Sequence, residues 1–376
     1  MNDIQRLLRV YNNNFLLLSE ITDREKIEYL NFEKIILVTD KNLLNFLEIS
    51  KVINLFIDKY NTKIIKLSSG EPNYEMIEGT SKKIFEERCD LVIALGGGSI
   101  LDIVKAASMY ENSIENVDNF SASRKRYSKK LVKTLAIPTT AGTGSEFTNT
   151  TVYKTRLNIK NWLWDELTYF DYVIYLPSLT IDLPQEITNY SGVDAFDHLI
   201  ESLMSIKFDK NNLELCNKGM EVIWDSLPKI EKDNDNIENR TNMLLGSGMA
   251  GKAIHFTGCG ICHCIAHTLG SLTKIPHGAA VAYGLLHTIE PVLKYNQDLL
   301  KRFRGPLESS SPILLAKKIQ NWVTNLRINY DLIEKKINLD EFLKIYFIED
   351  NKSMRDNTYY QPSKFDLRTI LQGLWN

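Results

Sequence analysis

Residues 89–106 read CDLVIALGGGSILDIVKA. Five apolar residues, Leu91 to Leu95, run straight into Gly96-Gly97-Gly98-Ser99, and a helical pattern follows. A short apolar run with β-branched members fits a parallel strand buried on both faces. Glycines let a backbone approach an anion closely, and a helix N-terminus adds N–H donors and the positive end of the dipole. A phosphate or pyrophosphate is the natural occupant of such a turn; a tight turn with no ligand is the plain alternative. The run is not G-x-G-x-x-G, so the usual dinucleotide fingerprint is absent.

Working outward, EKIILVTD (33–40), TKIIKLSSG (62–70) and LVKTLAIPTTAGTGSE (131–146) read as further strands. NYEMIEGTSKKIFEER (73–88) and ILDIVKAASMY (100–110) read as helices between them. Alternation of this kind predicts a parallel sheet with helices on both faces. A second small-residue turn, Thr139-Thr140-Ala141-Gly142-Thr143-Gly144-Ser145, also follows a strand, and ligands in such sheets sit beyond the carboxyl ends of the strands. Two such turns point to a nucleotide. Asp40 ends a strand too; an acid there suits a ribose 2′-OH and repels a 2′-phosphate, or it caps a turn. From Pro184 onward nearly every segment repeats apolar residues at helical spacing, as in NNLELCNKGMEVIWDSLPKI (211–230) and GAAVAYGLLHTIEPVLKYN (278–296). We expect two domains: an α/β dinucleotide-binding domain with a parallel sheet over 1–184, and an all-helical domain over 185–376 that carries the metal and the catalytic groups.

The 376 residues carry 45 basic and 47 acidic side chains, a balance that gives no electrostatic case for nucleic acid or anionic lipid. The basic run Arg124-Lys125-Arg126 reads as a solvated loop. The start of the chain lacks the apolar stretch of a secretory signal, and no window reaches the roughly 18 unbroken apolar residues of a membrane span. The expectation is a cytoplasmic protein with no membrane partner. Five cysteines, an odd number, suit free thiols better than a disulfide framework.

Residues 259–268, CGICHCIAHT, contain Cys259-Gly260-Ile261-Cys262-His263, the C-x-x-C-H pattern of covalent haem attachment. A cytoplasmic chain argues against haem, and three cysteines pointing apart on a helix argue against a thiolate zinc site. The histidines offer another reading. Asp194 and His198 lie four apart, as do His263 and His267, and His277 follows in a turn. Residues at i and i+4 share a helix face. Asp194, His198, His263 and His277 would supply one carboxylate and three imidazoles, a set suited to Fe(II) or Zn(II). Buried structural histidines are the alternative.

Six ordered motifs then match a known family over nearly the whole chain: VTD (38–40), EPN (71–73), GGGSILDIVKA (96–106), IPTTAGTGSE (137–146), GVDAFDHLIES (192–202) and HCIAHTLGSLTKIPHG (263–278). The chain resembles the iron-containing (group III) alcohol dehydrogenases. The resemblance implies their dehydroquinate synthase-like fold, a nucleotide-binding α/β domain followed by a helical domain. It implies that Asp194, His198, His263 and His277 ligate one divalent metal, iron or zinc. It implies that Gly97, Gly98, Ser99 and Asp102 hold a cofactor pyrophosphate, that Thr139, Thr140 and Thr143 line the cofactor site with Asn73, Lys160 and Leu179, and that Asp40 favours NAD(H) over NADP(H). His267 would stand near the nicotinamide and relay a proton. The implied reaction is hydride transfer between NAD(H) and a small aldehyde or primary alcohol, with C-x-x-C-H an accident of spacing. TNTTVYK (148–154) is similar to the phosphonoacetaldehyde reductase branch, and a non-catalytic nucleotide- or metal-binding scaffold is the alternative of another class. The exposed faces of the helical half could support a homodimer. The chain departs from the family at Leu176-Pro177-Ser178-Leu179-Thr180, which lacks the usual Asp, at Trp162 and Trp164, at MRDNTYYQPSKF (354–365), and at NNNFLLLSE (12–20), where a glycine turn is usual.

Overall fold

A computed structural model describes residues 8, 14–18, 32–109, 116–120, 127–157, 160–330 and 337–372. The basic run at 124–126 and most of the N-terminal segment read above lie outside the described residues. By internal contacts the chain forms two compact units, Met1–Leu183 with Asp233–Gly248, and Pro184–Lys232 with Met249–Asn376. The return of 233–248 to the first unit has no counterpart in the expected division at 184/185. The sequence hides it because one unbroken helix, Ile237–Thr257, runs across residue 248.

In the first unit the described strands are β1 (Phe15–Leu17), β2 (Lys34–Asp40), β3 (Asn61–Leu67), β4 (Leu91–Gly96), β5 (Lys133–Pro138), β6 (Thr150–Lys154), β7 (Lys160–Trp164) and β8 (Tyr172–Tyr175). The helices are α1 (Leu47–Lys59), α2 (Tyr74–Glu87) and α3 (Gly98–Ala107). Six strands form one sheet in the order β1-β8-β5-β4-β2-β3, and every pairing is parallel. β4 is buried along its whole length, as its apolar run requires. The core under one face joins Ile35, Leu37, Ile93, Leu95, Leu135 and Ile137 to Val52 and Phe56 of α1.

The register places the functional turns. Thr39 pairs with Leu95, and Gly96 pairs with Pro138, so β2, β4 and β5 end at one level. Asp40 and both glycine turns therefore leave the same edge of the sheet. Chain order reverses between β2 and β4, the kind of switch point where open sheets bind ligands. The hairpin β6–β7 stands apart from the sheet and pairs antiparallel. It contains the Trp162/Trp164 pair, while β8 inserts the run VIY beside β5.

The second unit is helical. Its helices, with the one that crosses into it, are α4 (Gln185–Met204), α5 (Leu213–Ile230), α6 (Ile237–Thr257), α7 (Ile261–Leu272), α8 (His277–Tyr295), α9 (Pro312–Asn325), α10 (Leu339–Tyr346), α11 (Lys352–Arg355) and α12 (Lys364–Gln372). Nearly every residue of α4 from Thr188 to Met204 is buried, because α5 and α8 pack against it. α7 packs on α8 in turn. Among the described residues no helix is long and apolar enough to cross a membrane.

Candidate metal centre and nucleotide turns

Four side chains converge in the second unit. Asp194 and His198 come from the middle of α4, His263 from the first turn of α7, and His277 from the start of α8, after Pro276 has ended the preceding turn. Oδ1 of Asp194 lies 3.3 Å from His263 Nε2, 3.5 Å from His277 Nε2 and 3.8 Å from His198 Nε2. Tetrahedral ligands with bonds of about 2.0–2.2 Å stand roughly 3.3–3.6 Å apart. The spacing and the mixed O/N donor set thus fit one divalent ion. The His198 and His263 rings stack with centroids 4.5 Å apart.

The electrostatics agree with that reading. Burial opposes a charge on Asp194, but His198, His277 and His263 beside it hold its carboxyl well below the usual range. Burial pushes His198 down to about 4, so it sits neutral, the form that ligates. His277 has a third of its side chain exposed, against 2–6% for the other three ligands. The site opens on the His277 side. His267, one turn beyond His263 on α7, stands there too, its ring centroid 5.2 Å from that of His277.

Two carboxylates missed by the sequence reading complete the centre. Glu201 Oε2 takes the hydrogen bond of His263 Nδ1 at 2.8 Å, and Glu201 also accepts the backbone N–H of Gly260 (2.6 Å) and Cys262 (2.8 Å). Asp197 Oδ2 lies 3.1 Å from the same Nδ1. A carboxylate behind a histidine fixes which nitrogen faces the ion. The signal was present: Asp194, Asp197, His198 and Glu201 follow i, i+3, i+4, i+7 spacing on one helix.

The cysteines take no common role. All five are free, Cys262 donates to the carbonyl of Val281, and Cys264 faces Tyr346. The MRDN stretch has a structural use: the Asn357 amide donates to the carbonyls of Thr257 and Cys259 and so holds the turn ahead of α7.

In the first unit, Gly97 precedes α3, whose first turn has no side-chain cap, which leaves N–H groups for an anion. The two turns are one construction. A Cβ on Gly97 would lie 3.2 Å from Thr140, and one on Gly98 would lie 2.7 Å from Thr143. Thr139 N–H donates to the carbonyl of Gly96, and the Ser145 N–H donates to Thr143 Oγ1. Asp102 faces this loop: it accepts from Ser145 Oγ (2.6 Å) and Val152 N–H (2.9 Å). Lys105, 1% exposed, donates to the carbonyls of Ser145 and Thr150 and to the hydroxyls of Ser145 and Thr148. The TNTTVYK stretch is thus tied to α3.

Asp40 Oδ1 accepts from Asn42 N–H and Ser69 Oγ, a capping role at the end of β2. Asn73 caps α2 through Met76 N–H. Lys160 pairs with Glu71 at 2.8 Å, and Lys154 pairs with the same carboxylate. Leu179 packs into the core of the sheet.

Residues 22–177 match the model described as iron-containing alcohol dehydrogenase, and residues 188–375 match that of the Fe-containing alcohol dehydrogenase family, C-terminal. The probable alcohol dehydrogenase EutG of Escherichia coli is 35% identical over 223 residues, 58% of this chain and 55% of that protein. The match thus spans about half the length of that relative. The alcohol dehydrogenase from Oenococcus oeni superposes with a TM-score of 0.87 at 22% identity, over 96% of this chain and 97% of that one. A sulfoacetaldehyde reductase from Bifidobacterium kashiwanohense in complex with NAD+ gives 0.81 at 21% identity, over 96% of each chain. With both halves matched, and with a donor set of the right chemistry where α4, α7 and α8 meet, the chain belongs to the iron-containing alcohol dehydrogenase family.

Proposed function

We propose that the protein is a metal-dependent oxidoreductase that transfers hydride between NAD(H) and a small aldehyde or primary alcohol. The observation that carries this is the ring of three imidazole Nε2 atoms, 3.3–3.8 Å from one oxygen of Asp194. A divalent ion held there, Fe(II) or Zn(II), supplies Lewis-acid polarisation of a carbonyl oxygen. Asp194 provides the one ligand charge, and Glu201 keeps the His263 ring turned with Nε2 inward. The substrate enters on the His277 side, and His267 holds or passes the proton at the substrate oxygen. In the first unit the uncapped N-terminus of α3 and the threonine-lined turn bind the pyrophosphate. Asp40 selects an unphosphorylated ribose, and Asp102 acts by holding the Ser145 loop. The NAD+ bound to the Bifidobacterium relative supports the choice of cofactor. The expected setting is the cytoplasm, with the thiols reduced.

The test is direct. Protein purified without oxygen is loaded with Fe(II) or Zn(II), and loss of NADH or NADPH absorbance is followed with a panel of aldehydes that includes phosphonoacetaldehyde and sulfoacetaldehyde. We expect metal-dependent oxidation of NADH in preference to NADPH, and the best aldehyde names the substrate class. NADH binding without turnover under any metal would favour the non-catalytic scaffold.

Lys105 adds a pH prediction. Burial pushes its ammonium down from 10.5 to about 8, against the pull of Asp102 and Glu146. Above pH 8 the folded chain gives up this proton before the unfolded chain does. The unfolded state then binds more protons, so this group makes the fold more stable, not less, as pH rises from about 8 towards 10.5. The loop meanwhile loses one N–H donor. NADH affinity is expected to fall above about pH 8 while this group raises the melting temperature, and parallel titrations of both would check it.

A further inference from the structure

Asp197 has no part in the chemistry above, yet it is a carboxylate with 0% exposure. It sits on α4 one turn before Glu201, with Oδ2 3.1 Å from His263 Nδ1. Neither of its oxygens makes a hydrogen bond of acceptable geometry. The reason is visible: the ring N–H already goes to Glu201, which two backbone N–H groups fix in place. Two carboxylates therefore address one N–H, and only one is bonded to it. A buried carboxylate without a hydrogen bond costs stability, and groups that break a local rule in this way concentrate at functional sites.

We propose that Asp197 is a positioning residue for the metal centre. With Glu201 it forms a carboxylate pair behind His263, and the pair strengthens the donation of Nε2 to a divalent ion. Glu201 sets the orientation of the ring, and the Asp197 carboxyl lies at the far edge of it, 3.1 Å from Nδ1. The inference rests on the metal reading of Asp194, His198, His263 and His277. The donor atoms of Asp197, Glu201, Cys262 and His263 lie within 4.8 Å of one another. They are support for the ring and not a second ion site, because Glu201 and Nδ1 are already committed to hydrogen bonds.

The experiment compares full-length wild type with Asp197→Asn and Glu201→Gln. Zn(II) affinity is read by chelator competition, the Co(II) form by its visible spectrum, and the metal-stripped form by thermal melting. Wild type should bind one ion per chain. Asp197→Asn should weaken binding roughly tenfold, shift the Co(II) bands, and raise the melting temperature of the stripped protein. Glu201→Gln should weaken binding further and lower that temperature. Opposite signs for Asp197→Asn are the signature, since a structural residue would lower both. Unchanged affinity and spectrum in Asp197→Asn would overturn the inference with the metal reading intact. So would a lowered melting temperature, or two ions per wild-type chain falling to one in the variant, which would make Asp197 a ligand. A wild type that binds no metal would sink the metal reading itself, and this inference with it.

Discussion

His263→Ala is expected to abolish metal-dependent oxidation of NADH. The ring is central: its Nε2 faces Asp194, and its Nδ1 faces Asp197 and Glu201. The charge stabilisation that a bound ion supplies is worth several kcal/mol, so its loss should cost on the order of a thousandfold in rate. The variant should also be less stable. In the metal-free folded chain burial opposes a charge on His263, but Cys259 and the carboxylates of Asp194, Asp197 and Glu201 outweigh it and raise its pKa well above the usual value. Without that cation the buried Asp194 carboxylate loses a counter-charge, and breaking such a pairing costs about 3–5 kcal/mol. His198→Ala separates the two effects. That ring is pushed down to about 4 and sits neutral, so removing it takes away a ligand but no counter-charge. Chelator competition, melting and NADH depletion on both variants give the answer. Retained metal-dependent turnover in His263→Ala would mean that the ligand set is wrong.

Much of this centre could be read from one sequence because its residues are local on helices. Asp194 with His198, and His263 with His267, declare themselves by i, i+4 spacing. The two glycine- and threonine-rich turns are legible for a similar reason: β4 and β5 are apolar runs that lead into glycine, threonine and serine. What stayed hidden depends on tertiary partners. Asp197 and Glu201 lie on the same helix face as the ligands, but only the approach of α7 gives them His263 to act on. Asp102 looked like a cofactor residue, and only folding shows its oxygens turned to Ser145 and Val152. β8 and the β6–β7 hairpin are four or five residues each. In the hairpin the buried positions are Thr151, Tyr153, Asn161 and Leu163, and two of the four are polar, so no apolar alternation marks it. β1 has three residues and takes its place only by pairing with β8. α1 lay unread between two strands, although Ile49, Val52, Ile53 and Phe56 mark its buried face.

Gly278→Ala is expected to destabilise the second unit and weaken metal binding together. An added Cβ would lie 2.2 Å from the carbonyl oxygen of Tyr190, 2.6 Å from its carbonyl carbon and 2.8 Å from its Cβ. Two of these are backbone atoms, so no rotamer change relieves the clash. Helices α4 and α8 would have to separate by about 1 Å or more to restore ordinary contact distances. Tyr190 is one turn before Asp194, and Gly278 follows His277, so the separation acts directly on the 3.5 Å spacing between those two ligands. Overpacking typically costs about 1–3 kcal/mol, and a backbone clash belongs at the upper end or beyond. Helix propensity alone predicts the opposite sign, since alanine in place of glycine inside a helix gains roughly 0.5–1 kcal/mol. Gly79→Ala on α2 supplies the control, because nothing lies within 4 Å of its added Cβ. Thermal melting should therefore move down in Gly278→Ala and up in Gly79→Ala, with Zn(II) affinity lowered more than about tenfold in the first and unchanged in the second. If Gly278→Ala melts and binds like wild type, α4 and α8 can slide apart freely, and close helix contact is not what holds His277 against Asp194.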